Sequence, residues 1–242
     1  YNSLSIEEEV IPRRGEVIKM SLLHTWEKVD AYITEHLVRQ DAVLEQVLAN
    51  NKQADLPAID VAPNQGKLLN LYARLIGAAR ILEIGTLGGY STIWMARALP
   101  EHGRLISLEL DPHHAEIAEK NIWLAGLSQQ VEIRVGEALT QLAQLEEEGA
   151  APFDLIFIDA DKPNNPSYLQ WALRFSRPGT LIIGDNVIRE GEVTNKHSTD
   201  PRVQGIRKFM DMLAEEPRVT ATAIQTVGAK GYDGFVMGIV QN

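Results

Sequence analysis

The sequence contains no cysteine, so neither disulfides nor thiolate-bound metals can stabilise this chain or serve its chemistry. It has no apolar run long enough to span a bilayer and no basic stretch followed by the short apolar segment of a secretion signal. Together these absences predict a cytoplasmic protein. Basic residues are outnumbered 23 to 33, and the net charge of −10 argues against a surface that grips nucleic acid over its whole extent, because phosphates need cationic partners. Only a local strip of Arg13, Arg14, Lys19, Arg39, Lys52 and Lys67 keeps that option open. Aromatic residues make up just 6% of the chain, too few and too scattered for the aromatic-plus-basic surface of a single-stranded RNA reader. Trp26, Trp94, Trp123 and Trp171 each fall on a predicted helix and are expected to pack in the core.

No repeat, low-complexity block or linker divides the 242 residues, so one domain is expected, with a helical lead-in over about 17–78 and an α/β core over about 79–242. A chain of this length buries roughly 70–75% of its unfolded surface, enough for a core without staples. The chain opens at Tyr1 and not at methionine, while Met20 heads a helix-like stretch, so residues 1–19 read as a leader or extension. Between Val17 and Val38, residues Leu22, Leu23, Trp26, Val29, Ile33 and Leu37 recur at helical spacing. Two further helices are expected over Asp41–Ala49 and Gly66–Ile76.

From residue 80 the pattern alternates. Short apolar runs at Ile81–Ile84, Leu105–Leu108, Val131–Val135, Leu155–Ile158 and Leu181–Ile183 are separated by helical stretches, which predicts βαβ units and a parallel sheet with helices on both faces. After a helix over Val203–Leu213, two β-rich runs, Val219–Val227 and Phe235–Val240, flank Gly228-Ala229-Lys230-Gly231. A hairpin is expected there, giving a Rossmann-like sheet of seven strands whose last strand is antiparallel and lies at the edge.

The first strand runs into Gly85-Thr86-Leu87-Gly88-Gly89 and then a helix. Glycines at such a turn let the backbone bend sharply and approach a ligand. The spacing is not the G-x-G-x-x-G of pyrophosphate binders, and an acidic Glu83 beside it disfavours phosphate. Glu109 ends the second strand, where a carboxylate can accept both hydroxyls of a ribose. A nucleoside site follows, although these residues alone do not separate S-adenosylmethionine from NAD, and each feature taken singly is also an ordinary turn or strand end.

Two later strand ends carry acids: Ile158-Asp159-Ala160-Asp161-Lys162 and Gly184-Asp185-Asn186. Asp and Asn often end strands simply because they favour turns. If their strands are neighbours, however, Asp159, Asp185 and Asn186 converge beyond the sheet edge. Two carboxylates and a carboxamide form a hard, incomplete oxygen set that suits Mg²⁺, or Ca²⁺ or Mn²⁺, and disfavours Zn²⁺. His113 and His114 are adjacent on a predicted helix, cannot face one site together, and read as surface residues.

From about residue 17 to the end, the chain resembles the cation-dependent O-methyltransferases of the catechol and caffeoyl-CoA type, class I enzymes, and especially their bacterial members. The resemblance rests on Ala62-Pro63-Asn64-Gln65-Gly66, the Glu83–Ser91 turn, Glu109, Asp159–Lys162 and Asp185-Asn186. It implies a metal held by Asp159, Asp185 and Asn186. It also implies S-adenosylmethionine held by Glu83, Gly85, Thr86, Ser91, Glu109, Ala138 and Asp161, with Val61 as a lesser contact at a position where plant members carry a hydroxyl. Lys162 stands where similar catechol enzymes place their general base, with Asp159 beside it as a second catalytic residue.

The implied substrate is a small aromatic with vicinal hydroxyls, and the implied assembly is a homodimer. Three other readings stay open on the sequence: methylation of a modified tRNA nucleoside, an NAD-dependent oxidoreductase, and a non-catalytic nucleoside-binding protein. The loop Val187–Ser198 shows no substrate-specific pattern.

Overall fold

The computed structural model describes residues 14–39 and 41–241, with side chains from Met20 onward. The expected leader over residues 1–19 therefore lies largely outside the described residues, as do the side chains of Arg13, Arg14 and Lys19. The backbone is already helical at Arg14.

The lead-in holds three helices, α1 (Arg14–Ile33, continued by a π-helical turn Thr34–Val38), α2 (Ala42–Gln53) and α3 (Pro63–Leu75). Asp41 caps α2 by accepting from the Leu44 amide at 3.0 Å, which accounts for the helix starting there. The core then alternates β1 (Arg80–Ile84), α4 (Tyr90–Ala96), β2 (Arg104–Glu109), α5 (Pro112–Leu124), β3 (Val131–Val135), α6 (Ala138–Glu147), β4 (Leu155–Ile158), α7 (Asn165–Arg174), β5 (Leu181–Asp185), α8 (Pro201–Glu215), β6 (Val219–Gly228) and β7 (Gly231–Val240).

The strands form one seven-stranded sheet in the order β3-β2-β1-β4-β5-β7-β6. The first five are parallel, and β7 runs antiparallel to both of its neighbours. Period-two alternation then sorts each strand's side chains between two cores. Ile81, Leu105, Phe157 and Ile183 face the layer of α2–α5, while Leu82, Leu108, Ile156 and Ile182 face α6–α8. The doubly covered α/β sheet is thus as expected, with one difference. The reversed strand is not the edge strand: β7 is inserted between β5 and β6. The Ala229-Lys230 turn, closed by the Gly228–Gly231 pair, makes β6 and β7 neighbours but does not dictate which of them meets β5.

Two further expectations, on Trp123 and His114, are corrected, and the helix expected over Val17–Val38 is present. Trp123 is not a core residue: it is 74% exposed on α5, whereas Trp94 is buried and Trp26 and Trp171 are half-buried. On α1 the apolar stripe is only partly covered, because Leu22, Val29 and Leu37 are exposed. His114 is half-buried and not a plain surface residue, while His113 is exposed. In the basic strip, Arg39 and Lys52 are exposed, but Lys67 lies over the Trp94 ring at 5.6 Å. No helix among the described residues is long and apolar enough to cross a membrane.

Candidate active site

The strand order reverses between β1 and β4, and ligands of such sheets bind in the crevice beyond the carboxyl ends at that point. Gly85 leaves β1 with φ 102°, and a Cβ there would lie 2.2 Å from the Asp159 carbonyl oxygen. The glycine turn therefore rests directly on the end of β4, a closeness that no side chain permits.

Behind the turn lies a polar cluster that sequence reasoning missed. Asn121 donates from Nδ2 to the Gly88 carbonyl at 2.8 Å and to Asn51 Oδ1 at 2.9 Å, and Asn51 donates to Asp60 Oδ1 at 2.8 Å. Residues from α2, α5 and the approach to α3 are thus tied to the back of the turn. Only the long-range pairing reveals them, since asparagines in helices carry no distinctive spacing.

Glu109 is held in place by three backbone amides. Its Oε2 accepts from Leu87 at 2.7 Å and Thr86 at 3.2 Å, and its Oε1 accepts from Asp111 at 3.0 Å. His114 Nδ1 stands 3.5 Å from Oε1. A carboxylate offers roughly four acceptor directions, so one is left for a ribose hydroxyl without disturbing this frame, and more if an amide bond gives way. Leu110, the next residue, is 70% exposed, an apolar side chain standing beside the expected nucleoside. Ala138 opens α6 beside the same strand end, where the Gly136 amide donates to the Glu109 carbonyl at 2.8 Å. Val61 is buried, and Asp161 accepts from Tyr168 Oη at 2.5 Å and Asn164 Nδ2 at 2.7 Å.

Glu83 lies on β1, two residues before the glycine turn. It is fully buried under α4, and its carboxylate accepts from Ser91 Oγ at 2.6 Å, Thr92 Oγ1 at 2.5 Å and Ser107 Oγ at 2.7 Å. The Thr86 and Ser107 hydroxyls meet at 2.5 Å. Glu83 therefore anchors the Ser91, Thr92 and Ser107 hydroxyls around the turn. Burial pushes Glu83 up to about 7, against the pull of those three hydroxyls and with a further push from Asp159.

The acidic strand ends come together as expected. β4 and β5 are neighbours, and Asp159 and Asp185 are close enough to repel: burial first and then Asp159 push Asp185 up to about 7, opposed by Lys162, the Asn186 amide and Gln65. Lys162 is buried and donates from Nζ to Asp159 Oδ1 at 2.9 Å, so its ion-pair partner is Asp159 and not Asp161. Asp185 accepts from Asn186 N at 2.8 Å on Oδ1 and from Gln65 Nε2 at 2.6 Å on Oδ2. Among the described residues no group of three or more His, Cys, Asp or Glu side chains is placed to hold a metal; at this spot there are two, Asp159 and Asp185.

Asp185 and Asn186 form part of the lining of a cavity of about 940 Å³, together with Gln65, Leu68, Tyr232 and Phe235. Arg189 and Glu190 from the uninformative loop also reach this cavity, as does Asp30 from α1.

These raised groups make stability fall with pH, and the direction can be measured. Folded Glu83 and Asp185 hold protons up to about 7, whereas the unfolded chain releases them near 4.5 and 3.8. Their contribution is fully present below the lower values and is lost as pH rises through about 7. Between pH 5.5 and 8 Glu83 alone loses on the order of 2 kcal/mol, which in a chain of this size lowers Tm by about 4–8 °C, and Asp185 acts in the same direction. Thermal melts of cofactor-free, metal-free protein should show that fall, with a shallower slope in Glu83→Gln. A flat profile would contradict it.

A family model described as O-methyltransferase matches residues 34–235, most of the chain. The chain belongs to the O-methyltransferase family. This methyltransferase is 57% identical over 216 residues to a catechol O-methyltransferase of Niastella koreensis, spanning 89% of the chain and 98% of that protein. A catechol O-methyltransferase of Mycobacterium tuberculosis is 48% identical over 213 residues, spanning 88% of the methyltransferase and 95% of that relative. Among solved structures, an O-methyltransferase from Bacillus cereus in complex with SAH superposes with a TM-score of 0.90 at 58% identity, covering 90% of this methyltransferase and all of that chain.

Proposed function

We propose that this enzyme moves a methyl group from S-adenosylmethionine to one hydroxyl of a small vicinal-dihydroxy aromatic, with a divalent cation such as Mg²⁺ at Asp159, Asp185 and Asn186. The observation that carries the proposal is the pairing of β4 with β5, which sets Asp159, whose carbonyl meets the Gly85 turn, against the buried Asp185 carboxylate at the cavity lining. Two acids held together against their charge fit a doubly positive hard ion, and a carboxamide completes an all-oxygen set with positions left for a substrate. The names of the two catechol O-methyltransferase relatives support the acceptor class.

A phenol has a pKa near 10, so half-ionising it at neutral pH requires a shift of about three units, on the order of 4 kcal/mol. A bound divalent cation supplies Lewis-acid stabilisation of that order to an ionising hydroxyl. The chain's own residues do the rest. Glu109 fixes the ribose end of the donor, Gly85 and Thr86 let it approach the sheet edge, and Ser91, gripped by Glu83, faces its amino-acid end. Lys162, paired with Asp159, stands to take the hydroxyl proton. Leu68, Tyr232 and Phe235 supply apolar and aromatic surface for a planar ring.

Chelation tests this reading. Exhaustive EDTA treatment should abolish methylation of a catechol, and millimolar Mg²⁺ should restore it. Transfer that persists at full rate after chelation removes the cation from the reaction.

A further inference from the structure

The side chain that holds Asp185 comes from the lead-in and not from the sheet. Gln65, in the first turn of α3, donates from Nε2 to Asp185 Oδ2 at 2.6 Å, while the Asn186 amide takes Oδ1 at 2.8 Å. One donor on each oxygen fixes the plane of the carboxylate and leaves lone pairs on both oxygens for other partners.

Gln65 is itself backed by a chain of bonds. Its amide donates to Asn64 Oδ1 at 2.9 Å, and Asn64 Nδ2 donates to Asp30 Oδ1 on α1 at 3.0 Å. Asp30 Oδ2 accepts in turn from the Ala229 amide of the β6–β7 turn at 2.8 Å. The next residue, Gly66, is pressed against α4: a Cβ there would lie 2.3 Å from Trp94 Cδ1. The first turn of α3 therefore has little room to withdraw.

We propose that Gln65 is a positioning residue that orients Asp185 for a divalent cation, with Asn64, Asp30 and the hairpin turn as its support. Carboxylates that ligate metals are themselves hydrogen-bonded, and loss of such a partner typically costs about 10–100-fold in metal affinity. The residue type fits the task. A glutamine amide donates to Asp185 without adding positive charge, whereas a lysine at the same place would donate and also repel the cation. The inference rests on the cation reading above, and the experiment separates the two.

The test is calorimetric titration of the full chain with MgCl₂ in the presence of SAH, with no turnover needed. Gln65→Met, similar in length but without a donor, should weaken Mg²⁺ binding about tenfold. Gln65→Lys should remove measurable binding in the millimolar range. SAH affinity, measured separately, should stay within about twofold in both variants if only the cation pocket is affected. Wild-type protein that takes up no Mg²⁺ would sink the cation reading and this inference with it. Wild-type binding with an unchanged Gln65→Met affinity would overturn this inference alone. So would a Gln65→Met variant that loses Mg²⁺, SAH and thermal stability together, since that pattern belongs to a packing residue.

Discussion

Replacing Asp185 by alanine is expected to lower turnover of a catechol acceptor by about 10²–10³-fold while leaving SAH affinity within about twofold of wild type. Asp185 sits at the end of β5, and its bonds run to Gln65 and Asn186, away from the Gly85–Gly89 turn and from Glu109. The donor pocket therefore keeps its frame when Asp185 is removed. What disappears, on the proposed reading, is half of the negative charge that would attract a cation to the cavity. Initial rates at saturating Mg²⁺, set beside calorimetry with SAH, check the split. Equal losses in both would make Asp185 a support of the donor pocket, and the proposed division of labour would fail.

The second large effect concerns Lys162. Lys162→Met should reduce the single-turnover rate by about 10²–10⁴-fold, the usual contribution of a positioned general base. Its position is well fixed. A Cβ at Gly205 of α8 would lie 2.2 Å from the Lys162 carbonyl oxygen, so α8 clamps the backbone while Nζ reaches Asp159. A second role competes, because an ammonium here also balances the paired acids. Lys162→Arg distinguishes the two, since a guanidinium keeps the charge but cannot give up its proton. Proton transfer predicts an arginine variant as slow as the methionine one. Near-normal single-turnover rates with arginine would reassign Lys162 to charge balance.

Most of the sheet was legible because its signals are local. The apolar runs at Ile81, Leu105, Leu155 and Leu181 fall within the observed strands, and the acids that end β2, β4 and β5 mark the edge where the chemistry lies. Neighbouring β4 and β5 bring Asp159 and Asp185 together as their sequence positions suggested.

What escaped was set by pairing across the chain. Whether β6 or β7 meets β5 depends on tertiary packing, and nothing in a two-residue turn encodes it. Glu83 was singled out because it precedes the glycines, but its surroundings were not legible: strand alternation places it under α4, where three hydroxyls from two other elements donate to its carboxylate. Gln65 lay inside a stretch already singled out, but its task became visible only with Asp185 at hydrogen-bond distance. Trp123 failed for the opposite reason: helical spacing says which residues share a face, and not whether that face is covered.

The contact between Gly85 and the Asp159 carbonyl has a consequence for how such an enzyme diversifies. The glycine turn and the end of β4 touch through backbone, so on the proposed reading the reach from the methyl carbon to the attacking oxygen is built into the sheet itself. The other walls of the cavity are made by α1, α3, the loop after β5, the start of α8 and the hairpin, none of which contributes to that junction. Exchanging those outer segments between homologues should change which molecule is methylated and which of its oxygens is chosen, with the transfer step itself left intact.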